Sequence, residues 1–307
     1  MIIARISDGL GNQMFQYAFG RQLQEIYQMP LVLETFRYGH TEKMRKFGLG
    51  RLNISFSENR KDVQACRIAT GIESFMMFLI SVVKWRWAYK ILKIPRSGLE
   101  GYTKMIKMGM YGTLDIITFY PFEKTMAKNI RLHGGFQSEK YFHDIAPMIK
   151  RELRVKQVSS DLVRNLGEKM MLEDSVCIQV RRGDFVGHRI YDVCTEGYFQ
   201  RAVDYIKTHV EHPVLYVFSN SEEDLEWIRK QYSFLSDAHF VTEGKDEFDD
   251  LYLMYHCRHH IISNSTFGWW GRYLKLQEGI TVCPEKWMRN SDMKQDIQQE
   301  DWIKIPV

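Results

Sequence analysis

Several things are missing or scarce in this 307-residue chain, and each absence narrows its function. The five cysteines, Cys66, Cys177, Cys194, Cys257 and Cys283, are odd in number, scattered, and nowhere spaced Cys-x-x-Cys. That excludes a disulfide framework or a cysteine zinc site and points to a reducing compartment. Charge of one sign is not in excess either, with 42 Lys and Arg against 38 Asp and Glu. A nucleic-acid binder would cluster its cations far more strongly, so no nucleic-acid partner is expected. No Gly-x-Ser-x-Gly elbow supports nucleophilic catalysis, and no Asp-x-Asp follows a strand pattern to suggest a Mg²⁺ site. The N-terminus lacks a basic region followed by a long apolar one, so a cytoplasmic protein is expected.

A long hydrophobic run is also lacking. The most apolar window, Phe75 to Val83, is closed by Lys84-Trp85-Arg86-Trp87 well short of the roughly 20 residues of a spanning helix. The leading reading is a buried helix of the first half. The other is an interfacial helix that makes peripheral contact with the inner membrane face through Trp85 and Trp87.

What is present reads as α/β. Ile2 to Ile6 forms a short apolar run, Asp8-Gly9-Leu10-Gly11-Asn12 is turn chemistry, and Phe15, Ala18, Phe19, Leu23 and Ile26 recur at helical spacing. Leu31-Val32-Leu33 completes a β-α-β opening. Residues 40 to 130 yield no clear elements. From about 155 the chain alternates, with strands at Val176–Val180, Val214–Phe218, His239–Val241, Ile261–Ile262 and Ile280–Val282 separated by helical patterns. Such alternation predicts parallel sheets covered on both faces, in two domains, 1–153 and 154–307.

In an open α/β sheet, ligands bind beyond the carboxyl ends of the strands. Arg181-Arg182-Gly183-Asp184, Ser219-Asn220-Ser221 and Asn264-Ser265-Thr266-Phe267 each follow an apolar strand, so all should line one edge. Of two adjacent arginines only one is expected to face a ligand, the other pairing locally, for instance with Asp184. A guanidinium offers a planar fork for phosphate oxygens. Ser265 and Thr266 open a helix whose free N–H groups suit an anion, and Gly9-Leu10-Gly11-Asn12 opens a second. Bland alternatives stand beside each: a solvated turn, an ordinary cap, and for Trp269 and Trp270 plain core packing. His256, His259 and His260 read as structural histidines rather than zinc ligands. Asp249-Asp250 reads as charge at a helix start.

These segments also carry a resemblance. Gly9-Leu10-Gly11-Asn12-Gln13-Met14-Phe15-Gln16-Tyr17-Ala18, Gly135 to Phe142, Gln179 to Asp184, Phe218 to Ser221 and Asn264 to Trp270 resemble, in order, the motifs of the bacterial α-1,2-fucosyltransferases, glycosyltransferase family 11. The resemblance implies a GT-B fold, two Rossmann-like domains with a cleft between them, the N-terminal one facing the acceptor and the C-terminal one the nucleotide sugar. It implies inverting transfer of L-fucose from GDP-β-L-fucose to the 2-hydroxyl of a terminal galactose in an oligosaccharide or surface polysaccharide, with no metal and no cofactor beyond the donor. It implies that Arg181 and Asn12 act catalytically, Arg181 on the β-phosphate. Gly11, Gln13, Gln179, Arg182, Asp184, Ser219, Asn220, Ser265, Thr266 and Phe267 would bind the donor.

Two departures stand out. Gln179 replaces the motif histidine, and Asn220-Ser221 replaces an Asp-Asp pair, so the positions resembling a guanine-binding pair have changed together. Glu222, Glu223 or Asp224 could supply the carboxylate, or the base could differ. Asp8 stands where the family usually has glycine. Asp8 and Glu139 are the general-base candidates. The competing readings are a transferase of another nucleotide sugar and a non-catalytic anion- or nucleotide-binding protein.

Overall fold

The computed structural model describes residues 1–40, 45–112, 114–289 and 294–307. They form two compact units, Met1–Leu153 and Arg154–Val307. Each is an α/β unit around a wholly parallel sheet.

The first unit opens with β1 (Ile2–Arg5), α1 (Leu10–Tyr27) and β2 (Leu31–Glu34), followed by β3 (Cys66–Ala69), α2 (Gly71–Lys90), α3 (Gly98–Lys107), β4 (Met110–Tyr111), β5 (Ile130–Leu132) and α4 (Ala146–Glu152). The strand order is β3-β2-β1-β5-β4. β1 and β2 are buried throughout, which is why they read as continuous apolar runs rather than alternating ones. α1 lies close on the sheet at Gly20, where an added Cβ would come within 3.1 Å of Leu31 and 3.4 Å of Ala4. Phe19 on α1 meets Phe136 and Tyr141, each at 4.8 Å between ring centroids, and so carries the mid-chain motif segment into the same core.

The unassigned stretch contains β3, α2, α3 and β4, and α2 corrects the leading reading of the apolar window. It is not a buried helix: Phe75, Met76, Leu79, Ile80 and Val83 face solvent. Its buried face is Ser74, Met77, Ser81, Trp85 and Ala88. The inversion has a physical cause in the arginines of the sheet. Arg131 donates to the Met77 carbonyl at 3.2 Å and to Ser81 Oγ at 3.1 Å, and Arg5 donates to the Phe78 carbonyl at 3.4 Å. A large aliphatic residue on that face would displace these bonds. Trp85 is not an interfacial anchor, being 6% exposed and packed edge-on to His133 at 5.3 Å, whereas Trp87 is 48% exposed.

The second unit contains α5 (Asp161–Leu172), β6 (Asp174–Gln179), α6 (Glu196–His209), β7 (Pro213–Phe218), α7 (Glu222–Gln231), β8 (His239–Phe240), α8 (Glu247–His256), β9 (His259–Ile262), α9 (Thr266–Tyr273), β10 (Thr281–Pro284) and β11 (Ile303–Ile305). The strand order, β11-β10-β9-β6-β7-β8, is that of a doubly wound nucleotide-binding sheet, with the switch point between β6 and β9. β11 lies beyond the last strand expected from sequence and pairs parallel with β10. One apolar layer joins Val176, Ile178 and Val217 to Phe199, Val203 and Ile228; the opposite face joins Cys177 and Tyr216 to Val163, Leu253 and Met254. Ser160, Thr195, Ser221 and Asp246 accept backbone N–H groups as side-chain caps of α5, α6, α7 and α8. No helix among the described residues is long and apolar enough to cross a membrane.

Candidate active site

At the switch point the first two strand-end clusters of the second unit are drawn together by hydrogen bonds, and the third follows the neighbouring strand β9. The chain leaves β6 at Gln179 and turns at Gly183, whose φ of +49° favours glycine. Asn220, beyond β7, accepts the Arg182 backbone N–H at 3.0 Å, and Ser219 Oγ donates to the Val180 carbonyl at 2.9 Å. The Asn220 carbonyl oxygen thus clamps the two loops to each other.

The adjacent arginines do separate, but both have partners. Arg181 pairs with Asp184 and lies over the Phe185 ring, with 4.9 Å from Cζ to the centroid. Arg182 Nε donates to Asp224 at 3.1 Å, and its guanidinium stacks 3.4 Å from the Trp227 ring centroid. Asp224 and Trp227 sit three residues apart on one face of α7, so Arg182 is fixed from two sides. The locally held arginine is therefore Arg182, tied to α7. Arg181 pairs with an exposed carboxylate, Asp184, one that a ligand anion could replace.

Gln179 is 5% exposed and turned inward. Its Oε1 accepts from Ser263 Oγ at 2.6 Å and lies where a Cβ on Gly268 would come within 2.6 Å of it. This amide oxygen braces β6 against β9 and α9. Asn264, also buried, donates to the carbonyls of Tyr191 and Trp287, both at 3.0 Å, and anchors the loop that follows β6.

Ser265 is the N-cap of α9 and makes no side-chain capping bond. The first N–H groups of a helix have no intrahelical acceptor, so Thr266, Phe267 and Gly268 present donors at the positive end of α9. Arg181 and this helix end flank the β6–β9 switch point. Trp269 and Trp270 are fully buried, and Trp269 Nε1 donates to the Ile297 carbonyl at 2.7 Å, so both belong to the core. The three histidines bond to main chain: His256 Nδ1 lies 2.7 Å from the Tyr252 carbonyl, His260 Nε2 lies 3.0 Å from that of Met254, and His259 Nδ1 accepts the Ile280 N–H at 3.0 Å. Burial pushes His260 down to about 3, so its ring is neutral.

In the first unit, Gly11, Asn12 and Gln13 lie in the first turn of α1, whose N-cap, Gly9, offers no side chain. Gln13 is fully buried: Nε2 donates to the carbonyls of Asp8 at 3.0 Å and Lys46 at 2.8 Å, and Oε1 accepts the Gly48 N–H at 2.9 Å. Gln13 thus braces the loop that packs on α1. Gln16 does similar work, accepting the Ser7 N–H at 2.9 Å. Asn12 Oδ1 accepts from Gln137 Nε2 at 3.0 Å, which joins the opening motif to the mid-chain one. Asp8 adopts φ +68°, a conformation glycine takes without cost and aspartate tolerates, which accounts for its place where glycine is usual. Glu139 is bonded to His143 at 3.0 Å.

Sequence reasoning missed a buried ionic cluster at the carboxyl ends of β1, β2 and β5. Arg5 Nε pairs with Glu34 at 3.2 Å, and Arg5 Nη1 lies 3.3 Å from His133 Nε2. Burial, with Arg5 and Arg37 nearby, pushes His133 down to about 3. The readable signal is a charged or imidazole residue ending each of three apolar strands.

The profile of Glycosyl transferase family 11 matches residues 1–306. An alpha-1,2-colitosyltransferase of Escherichia coli is 29% identical over 315 residues, covering 99% of each chain. Galactoside alpha-(1,2)-fucosyltransferase 1 of Sus scrofa is 35% identical over 159 residues, covering 47% of this chain and 43% of that one. Among solved structures, fucosyltransferase NodZ from Bradyrhizobium is similar at a TM-score of 0.49 and 13% identity, covering 89% of this chain and 93% of that one. With its profile matched from end to end, the chain belongs to glycosyl transferase family 11.

Proposed function

We propose that the protein transfers L-fucose from GDP-β-L-fucose to the 2-hydroxyl of a terminal galactose, with inversion and without a metal ion. The Arg154–Val307 unit takes the donor and the Met1–Leu153 unit the acceptor. The observation that carries this reading is that Arg181, after β6, and the start of α9, after β9 and without a side-chain cap, both follow the two strands of the switch point. A departing nucleoside diphosphate gains negative charge as the glycosidic bond breaks. The α9 N–H groups and Ser265 would receive its oxygens, and Arg181 would exchange Asp184 for the β-phosphate. Donors fixed before the reaction stabilise that charge without reorganisation, and removal of one costs about 10²–10³ in rate.

Gln179 and Asn220 hold the fold, and Asp224 is occupied by Arg182. The carboxylates that suit the N–H edge of guanine are then Glu222 and Glu223, exposed on the first turn of α7. In the acceptor unit, Gln137 orients Asn12.

A second reading keeps site and reaction but makes the sugar colitose, favoured by the 29% identity over 99% of the chain to the colitosyltransferase. Incubating the protein with a β-galactoside and either GDP-fucose or GDP-colitose, with mass analysis and linkage determination, distinguishes them. A 2-linked fucosyl product supports the first reading. A colitosyl product alone supports the second, and no product from either donor refutes both.

A further inference from the structure

The outward face of α2 is apolar where a surface helix is ordinarily polar. Ile72, Met76, Leu79, Ile80, Val83 and Trp87 follow helical spacing on one side and are 39% to 81% exposed. The stripe spans 16 residues, roughly 22 Å of helix. Its charge is one-sided: from Ser74 to Leu99 there is no acid, and Lys84, Arg86, Lys90, Lys93 and Arg96 are all basic. Glu73, the only acid of α2, is held in a two-pronged pair with Arg67 at 2.6 and 2.8 Å. At 100° per residue, Lys84 and Arg86 fall on opposite sides of the stripe near Val83 and Trp87. Their stems can lie along an apolar surface while the charged ends stay in water.

We propose that this face docks on an anionic lipid bilayer, with α2 lying in the membrane plane, its aliphatic stripe and Trp87 entering the headgroup boundary and the basic residues meeting anionic headgroups. Charge selects this occupant over a second copy of the chain. An isologous pairing through α2 would set Lys84, Arg86 and Lys90 against their own equivalents, while anionic lipid satisfies all of them. Trp85 takes no part, because it is spent in the core.

The test is flotation of the full chain with phosphatidylcholine vesicles, with and without phosphatidylglycerol. The wild type should float with the anionic vesicles and lose binding in high salt. Leu79→Ser/Ile80→Ser/Val83→Ser should weaken binding at least tenfold while leaving the circular dichroism unchanged, since all three positions are exposed. Lys84→Gln/Arg86→Gln should cost about fivefold per charge on anionic vesicles. Anionic vesicles should shift tryptophan emission to the blue, and Trp87→Phe should remove that shift. Equal flotation of the triple variant, or a dimer in light scattering that this variant dissociates, would overturn the proposal.

Discussion

Replacing Gln13 by alanine deletes one amide and leaves three backbone groups behind. The Gly48 N–H, bonded at 2.9 Å, is buried, and the carbonyls of Asp8 and Lys46, bonded at 3.0 and 2.8 Å, are partly so. A buried unsatisfied donor costs about 1–3 kcal/mol, and each partly wet carbonyl about 0.5–1, so the loss should be about 2–5 kcal/mol. Gln13→Glu should be worse, because a carboxylate would turn lone pairs toward two carbonyl oxygens. Urea unfolding gives the magnitude, and hydrogen exchange of the Gly48 amide locates it. Protection at Gly48 should fall in both variants, while donor affinity per folded molecule stays that of the wild type. If both variants lose less than about 0.5 kcal/mol, the amide braces nothing. If stability holds while donor affinity falls, Gln13 is a ligand and its placement as a brace is wrong.

Other consequences follow from the same structure. Gly268→Ala should cost about 1–3 kcal/mol by forcing a methyl to within 2.6 Å of Gln179 Oε1, and much less in a Gln179→Ala background, as measured by a double-mutant unfolding cycle. Asp250 is pushed up from 3.8 to about 7 by burial and by Asp249, Asp246 and Glu247. The folded state therefore holds that proton more tightly, and the stability it contributes, full below the ordinary value, is lost as pH rises through about 7. Asp250→Asn should stabilise the protein above pH ~8, under a ceiling of about 4 kcal/mol at about 1.36 kcal/mol per pH unit, and change little below pH ~4; thermal unfolding across pH checks it. Arg182→Ala, which removes the Asp224 pair and the Trp227 stack, should lower unfolding stability yet slow turnover far less than Arg181→Ala, which should cost about 10²–10³. EDTA should leave the transfer rate unchanged.

The α/β class and most of the second unit are legible because its strands are continuous apolar runs and its helices begin at Ser, Thr and Asp caps. The first unit is legible only at β1, α1 and β2. Its later elements include a two-residue strand and α2, whose apolar positions point outward because its inner face receives Arg5 and Arg131. No sequence period can show that arginines from distant strands have claimed the face a hydrophobic pattern would assign to the core. The same limit applies at the site. Position along the chain placed Gln13, Gln179 and Asn220 beside the expected ligand, but Gln13 and Gln179 are buried with their amides bonded to the scaffold, and the exposed Asn220 spends its carbonyl oxygen on the Arg182 N–H. Arg182 is similar: the Arg-Arg doublet is plain in the sequence, yet its division of labour depends on Asp224 and Trp227, some 40 residues on.

The central claim, that Arg181 and the start of α9 receive a nucleoside diphosphate, is tested most directly by calorimetric titration of GDP into the wild type, Arg181→Ala and Arg182→Ala. The account predicts saturable binding by the wild type that persists in EDTA, a loss of at least tenfold in Arg181→Ala, and a much smaller loss in Arg182→Ala, since a charge-assisted hydrogen bond is worth about 1.5–3 kcal/mol. Equal GDP affinity in the wild type and Arg181→Ala would contradict it.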